Sequence, residues 1–425
     1  MGTGVIIICL FLVLLLLRVP AAFCMLITTL VYVVMTESVP PSFIPQAMVS
    51  GSASYTILAA PFFIIVGELM NSAGITRRLF KFANVLVGHI TGGLGHVNIL
   101  ASVFFAGVSG SAIADAAGLG NVEIKAMVDA GYDADFSVGI TAASSTIGPI
   151  IPPSSPMVLY GIMSGTSIGA LFLAGIPVGI LMAGFMMIVV YIISKRHHYP
   201  KSQSASLREI WVTFKEAFWA LLSPVILIVG MLTGIATPTE TAAIAVAYSL
   251  ILGVFIYKEM KWKDILVILQ NSIKSIGMVM LLIATGTVFA WMIGTEKVAE
   301  KSAEMLFGLT SNPYLILLLI NLFLLFVGTF METTSALLVT LPVLLPIVTA
   351  IGMSTVQFGV IMILLLMIGM LTPPMALCLF VTSKIGGISF DRAFKAVIPY
   401  YGALLVVLVI INLVPGVTLW LSNIL

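Results

Sequence analysis

Apolar runs long enough to form membrane helices recur along almost the whole chain, and nothing constrains its folding more. No charged residue falls between Gly4 and Leu17 or between Ile168 and Ser194. A helix crossing about 30 Å of hydrocarbon needs roughly 20 apolar residues, and there every backbone amide must be satisfied within the protein. Only 8% of the 425 residues are charged, against 60% hydrophobic, where a soluble domain carries roughly 25% charge. The runs are too long and continuous for the alternating strands of a membrane barrel. The chain therefore reads as an all-α polytopic membrane protein in a lipid bilayer. The first run has no basic residue before it and Arg18 after it, which fits a retained span better than a cleaved signal peptide.

Full spans are expected at 3–17, 20–37, 55–71, 135–164, 168–194, 218–235, 239–257, 272–293, 357–385 and 395–421. Regions 95–129 and 313–351 differ, because Gly and polar residues break each near its middle. Residues 95–106 would reach only about 18 Å as a helix. Both regions therefore read as re-entrant hairpins that enter and leave on one side.

Charge supports this arrangement. With the N-terminus outside, Arg18, Arg77, Arg78, Lys81, the cluster Lys195–Lys215, Lys258, Lys261, Lys263, Lys384, Arg392 and Lys395 fall inside, and only Lys297 and Lys301 fall outside. That is the positive-inside pattern, and counting either hairpin as a crossing spoils it. Both termini are then periplasmic. The basic loop itself reads as a solvated linker that sets topology. Net charge is only +2, and no basic face interleaved with aromatics suits a nucleic acid. Cys9, Cys24 and Cys378 lie in apolar runs without a CxxC pair, which gives no disulfide, metal or cofactor signal.

The sequence also repeats itself. At a register of 221 residues Gly107 meets Gly328, Gly131 meets Gly352, Gly148 meets Gly369, and Pro152-Pro153 meet Pro373-Pro374. Upstream the register is 220, pairing Gly74 with Gly294 and Arg77 with Lys297, and nearer the start it is 218, pairing Pro20 with Pro238. Gly and Pro fix backbone shape, so the shared register marks a shared fold. Each unit holds an odd number of crossings, which turns the second upside down. The expected organisation is one membrane unit, 1–425, with repeat one at 1–194, a cytoplasmic linker at 195–217 and repeat two at 218–425. Inverted repeats with broken helices are the mark of secondary transporters. Segments 74–90 and 294–310 are amphipathic and read as interfacial arms.

Chemistry should gather at four backbone breaks. Two are the hairpin tips, Gly107-Val-Ser-Gly-Ser111 and Gly328-Thr-Phe-Met-Glu332. Two are kinks in the following spans, Ser144–Ser154 and Gly369–Met375. Proline removes a donor and frees a carbonyl one turn earlier. Freed carbonyls with Ser and Thr hydroxyls make a neutral oxygen cage suited to Na⁺, and half-helix N-termini beside them favour a carboxylate. The hydroxyls of Ser144, Ser145, Thr146, Ser154 and Thr333 are the candidates for meeting that substrate. Close helix packing is the plainer role for any one of these small residues. Asp115 and Glu332 are intramembrane carboxylates and so functional candidates, or else N-terminal helix charges. Glu240 in Thr237-Pro-Thr-Glu240 reads as a cap.

Two other classes match parts of the pattern. Gly107-Val-Ser109-Gly110 has the shape found around the serine of rhomboid-type intramembrane proteases, but such a serine needs a base, usually a later-span histidine. The later histidines, His197 and His198, sit in the basic loop. An ion channel could use hairpins as filters, yet channels usually gain symmetry by oligomerising.

The motifs Pro61–Asn71, Ser109–Asp115, Gly148–Ser154 and Ala236–Ala243 resemble, nearly end to end, the large membrane subunit of TRAP (tripartite ATP-independent periplasmic) transporters of bacteria and archaea. The resemblance implies an elevator-type fold of the ion-transporter superfamily, with scaffold and transport domains. It implies Na⁺-driven uptake of organic acids across the inner membrane, C4-dicarboxylates or sialic acids among them. It implies two partners, a small four-helix membrane subunit, expected here as a separate chain, and a periplasmic substrate-binding protein. Carried onto matching positions, it assigns Ser109, Ser111, Gly148, Ile151 and Pro153 to one sodium site. Gly328, Thr329, Gly369, Thr372 and Met375 would form the other. Ile151, Pro153 and Met375 can offer only backbone carbonyls.

Overall fold

The computed structural model describes residues 3–17 and 19–423; Arg18, placed inside by the charge pattern, lies outside the described residues. Helix follows helix from Thr3 to Ser422, and no strand occurs among the described residues. Among the described residues, eight helical stretches are long and apolar enough to cross a membrane. The protein is a multi-pass, all-helical membrane protein.

Helices Gly93–Ser109 and Ala112–Asp129 form the first hairpin. Helices Pro313–Phe330 and Thr333–Ala350 form the second. Each limb runs 17 or 18 residues, about 26 Å, and is longer than the sequence suggested. The first limb does not stop at residue 106, because Gly107 continues the helix where it lies close against Pro224 of the helix Leu207–Leu232. Helix starts recur in the 221 register: Ala112 and Thr333 open the second limbs, and Ala134 and Thr355 open the spans after them. Between limb and span, Gly131 (φ 89°) and Gly352 (φ 78°) both take the left-handed conformation that favours glycine.

Each of those spans is broken. Ala134–Ser144 leads through a tight turn at Ser145–Ile147 to an irregular stretch, and the chain becomes helical again at Ser155–Ser164. Thr355–Gly369 breaks likewise before Leu377–Gly386. Helix Thr355–Gly369 is apolar all round and buried from Gln357 to Gly369, as a helix at the centre of a protein must be. The outer halves cross over. Ser155–Ser164 packs on Thr333–Ala350 and Thr355–Gly369, and Leu377–Gly386 packs on Ala112–Asp129 and Ala134–Ser144.

Several boundaries move. The expected linker 195–217 shrinks to 198–206, because helix Ile168–His197 runs on and Leu207–Leu232 starts early. A capping box starts the latter, with the Ser206 amide donating to Glu209 Oε2 at 2.7 Å and the Glu209 amide to Ser206 Oγ at 3.2 Å, as the pattern requires. The span expected at 272–293 begins at Trp262, where the Lys261 amide donates to Asp264 Oδ2 at 2.8 Å. The last span divides into Phe390–Leu413 and Pro415–Ser422, because Pro415 has no amide to continue the first helix. The stretch 38–54 contains helix Phe43–Ser52. The arms are helices Ile75–Val87 and Val298–Leu309. The first is tied down by Arg78, 2.7 Å from Glu259 and over the Tyr257 ring at 4.0 Å, and by Lys81, 2.8 Å from Glu216.

Candidate functional site

The first hairpin turns at Gly110 (φ 60°), whose hydrogen side lies against the Pro153 carbonyl, so that any Cβ would collide with it. The first tip therefore touches the first break. Ser111 then caps the second limb, its Oγ accepting from the Ala114 amide at 3.4 Å. Ser109 Oγ donates to the Asp115 carboxylate and accepts from the Ser111 amide at 3.3 Å. The other Asp115 oxygen has no partner and faces Gly148, where a Cβ would strike it. Ser109, Ser111, Gly148 and Pro153 are thus brought together around one buried carboxylate. Ile151 turns its side chain toward Gly179, which leaves only its backbone for the site.

The second tip repeats the arrangement with a different residue set. Gly328 and Gly369 meet backbone to backbone, with no room for a Cβ on Gly369. The Met375 amide donates to the Thr329 carbonyl at 3.2 Å, which fastens tip to break directly. Thr372 Oγ1 donates to the Ile368 carbonyl at 2.9 Å and lies 3.1 Å from the Tyr401 hydroxyl. Thr329 Oγ1 donates to the Phe326 carbonyl at 2.8 Å. Glu332 caps the next limb, accepting from the Thr334 and Ser335 amides at 3.0 and 3.3 Å. That is the helix N-terminal role, and it separates Glu332 from Asp115, which caps nothing.

The remaining candidate hydroxyls are engaged. Ser144 Oγ donates to Asn98 Oδ1 at 2.7 Å, Ser145 to the Ala142 carbonyl at 2.8 Å and Thr146 to the Ala143 carbonyl at 2.6 Å. Ser154 caps Ser155–Ser164 and donates to the Pro149 carbonyl. Thr333 Oγ1 lies 2.9 Å from the Met370 sulfur. All five are buried, so the conformation described closes these hydroxyls away from solvent. Glu240 caps helix Pro238–Ile251 in a second capping box with Thr237. Among the described residues no three of His, Cys, Asp and Glu gather as a metal site.

Tyr401, Asn98, Glu123 and Thr141 also line these contacts, though nothing local in the sequence marks them. Glu123 sits in Asn121-Val-Glu-Ile-Lys125, which reads as a solvated face, yet the structure buries it against Asn98. Its spacing of eight from Asp115 on one helix was the available signal.

The family model for the "Tripartite ATP-independent periplasmic transporter, DctM component" matches residues 8–417. The chain belongs to this family. It is the large membrane subunit of a TRAP transporter. Its relatives include the sialic acid TRAP transporter large permease protein SiaM of Vibrio cholerae, 46% identical over 95% of both chains. The C4-dicarboxylate TRAP transporter large permease protein DctM of Pseudomonas aeruginosa is 39% identical over 88% of this chain and 87% of its own. The sialic acid TRAP transporter permease protein SiaT of Haemophilus influenzae is 42% identical over 97% of this chain and 67% of its own. These relatives are transporter permeases, and the TRAP subunit described here is likewise no enzyme. In fold, the chain resembles the crystal structure of the Alcanivorax borkumensis YdaH transporter, with a TM-score of 0.64 over 88% of each chain at 12% identity.

Proposed function

We propose that this TRAP subunit couples the inward sodium gradient to uptake of an organic acid of the sialic-acid or C4-dicarboxylate class, by an elevator movement of its hairpins and broken helices. The observation that carries this reading is the pair of tip-to-break contacts, Gly110 on Pro153 and Thr329 on Met375. In both, backbone of a proline break stands beside a hairpin turn and hydroxyls, a setting suited to a small hard cation. Site one comprises Ser109, Ser111 and the backbones of Gly148, Ile151 and Pro153. Site two comprises Thr372, Thr329 and the backbones of Gly328, Gly369 and Met375. An elevator needs each site to travel as a unit, and each tip is fastened to its own break. The substrate class follows the named relatives, one of which carries a sialic acid transporter's name and another a C4-dicarboxylate transporter's.

A small membrane subunit and a periplasmic binding protein complete the system. The exposed apolar faces of helix Thr3–Leu16 and helix Leu207–Leu232 offer surface to the former or to lipid. With both termini periplasmic, residues 38–54 and 294–312 form the docking side for the latter. The experiment is uptake into proteoliposomes holding both membrane subunits, with the binding protein outside, across a panel of sialic acids and C4-dicarboxylates. Accumulation should require a sodium gradient and stop in potassium or choline. Full uptake driven by a pH gradient alone would overturn the reading, and so would full-rate uptake of free solute without the binding protein.

A further inference from the structure

About two-thirds of the way along the limb Ala112–Asp129, Glu123 is wholly buried. It lies eight residues beyond Asp115, about 12 Å along the helix, and so belongs to neither tip. Asn98 Nδ2 donates to Glu123 Oε2 at 2.6 Å and to Thr141 Oγ1 at 2.7 Å. Thr141 Oγ1 donates to the Ser137 carbonyl at 2.8 Å, and Ser144 Oγ to Asn98 Oδ1 at 2.7 Å. Asn98, Thr141 and Ser144 are buried with Glu123, and Glu123 Oε1 has no hydrogen-bond partner. Among the described residues no Lys, Arg or His pairs with it.

A buried carboxylate held by one neutral amide is an uncompensated charge, which proteins avoid by pairing it or giving it a metal ion. The surroundings offer only oxygen and one carboxylate. Divalent ions take several carboxylates or many oxygens, whereas a monovalent hard ion needs one charge and a few neutral oxygens. We propose that Glu123, with Thr141 and Asn98, binds a small monovalent cation of the sodium class at a site separate from the two tips. Glu123 Oε1 supplies the free anionic ligand. Thr141 Oγ1, which donates once and accepts once, keeps a lone pair for the ion. The Asn98 amide turned over presents Oδ1 to the ion and Nδ2 to Ser144 Oγ. Ser144 immediately precedes the turn Ser145–Ile147 that opens the first break. Occupancy at Glu123 is thereby communicated to the first break.

The test is equilibrium binding of radioactive sodium to the full chain, purified with its small membrane subunit in nanodiscs. It is run in the native chain and in a Ser109→Ala, Thr372→Ala background that weakens the proposed tip sites. Sodium binding that survives in that background should be abolished by Glu123→Gln, which in the native chain should bind one ion fewer. A folded Glu123→Gln protein with the native number and affinity of sodium ions overturns the proposal, whatever becomes of the tip sites. An unchanged isotherm accompanied by altered pH dependence assigns the group to a proton and also overturns it. If Glu123→Gln fails to fold, Thr141→Val decides. About tenfold weaker binding in one class of site supports the cation, and an unchanged isotherm refutes it.

Discussion

Thr372 offers the sharpest separation of ligand from packing residue. Valine at this position keeps the shape and leaves the break at Pro373-Pro374 intact, while removing the hydroxyl that lies 2.9 Å from the Ile368 carbonyl and 3.1 Å from Tyr401 Oη. A typical intramolecular hydrogen bond contributes about 0.5–1.5 kcal/mol net. Because the Tyr401 hydroxyl also loses its partner, Thr372→Val should cost about 1 kcal/mol of stability. Tyr401→Phe breaks the same contact from the other side but leaves the Thr372 oxygen in place, so its stability cost should be similar. The two variants part on sodium. If Thr372 is a ligand, losing about 1.4 kcal/mol of ion binding raises the half-maximal sodium concentration tenfold, and Tyr401→Phe should move it far less. The assay is sodium-dependent uptake in proteoliposomes with a melting curve of each variant. Should both variants leave the half-maximal sodium concentration within about twofold of native at similar cost in stability, Thr372 is a packing residue and the second site consists of carbonyls alone.

Gly369→Ala should cost about 1–3 kcal/mol by overpacking and abolish uptake, because its Cβ would sit 2.5 Å from backbone atoms of Gly328. Gly402→Ala, with nothing within 4 Å of the new methyl, should be neutral or stabilising by up to about 1 kcal/mol in its helix; a melting curve with uptake checks the pair. Glu332→Asn should keep near-native sodium dependence, since asparagine is as good an N-cap as a carboxylate, and loss of uptake in a stable variant would show that the charge itself is needed. Thr237→Ala, which removes the cap on helix Pro238–Ile251, should cost about 1 kcal/mol without altering the sodium concentration for half-maximal uptake.

Much of this arrangement was legible in the sequence because Gly and Pro fix backbone shape locally. The tips at Gly110 and Met331, the breaks after Ile147 and Gly369, and the capping turn at Glu240 all follow from residues whose effect does not depend on distant partners. Helix ends were less legible. Lys195 to His197 read as loop because they are polar, yet they continue a helix that is still buried at Ser194. Trp262–Asn271 precede the span expected at 272, yet they are mostly apolar and open the same helix, with only Lys263 and Asp264 charged. Partners across long separations were invisible. Nothing around residue 401 marks Tyr401 as the neighbour of Thr372, and Asn98, Glu123 and Thr141 meet only because three helices converge. A charged residue flanked by Asn121 and Lys125 carries no local sign of being buried.

The 221 register that equates the two backbones does not equate their charges. It sets Ala336 opposite Asp115, and Ser111 opposite Glu332. In the first pair the carboxylate sits inside the tip–break contact, hydrogen-bonded to Ser109 and facing Gly148. In the second the carboxylate is spent on the helix cap, and the contact itself is made by neutral groups, Thr329, Met375 and Thr372. An ion at the first site would meet the Asp115 carboxylate in a medium where water screens poorly, and one at the second would meet only dipoles. The first site should hold sodium more tightly, and Ser109 should matter partly by orienting Asp115. Ser109→Ala leaves that charge in place, so it should shift the half-maximal sodium concentration less than Thr372→Ala does, whereas Asp115→Ala, which makes the first pair resemble the second, should shift it more than Ser109→Ala. Sodium titrations of uptake in the three variants rank the effects, and a larger shift in Ser109→Ala than in Asp115→Ala would refute the charge asymmetry.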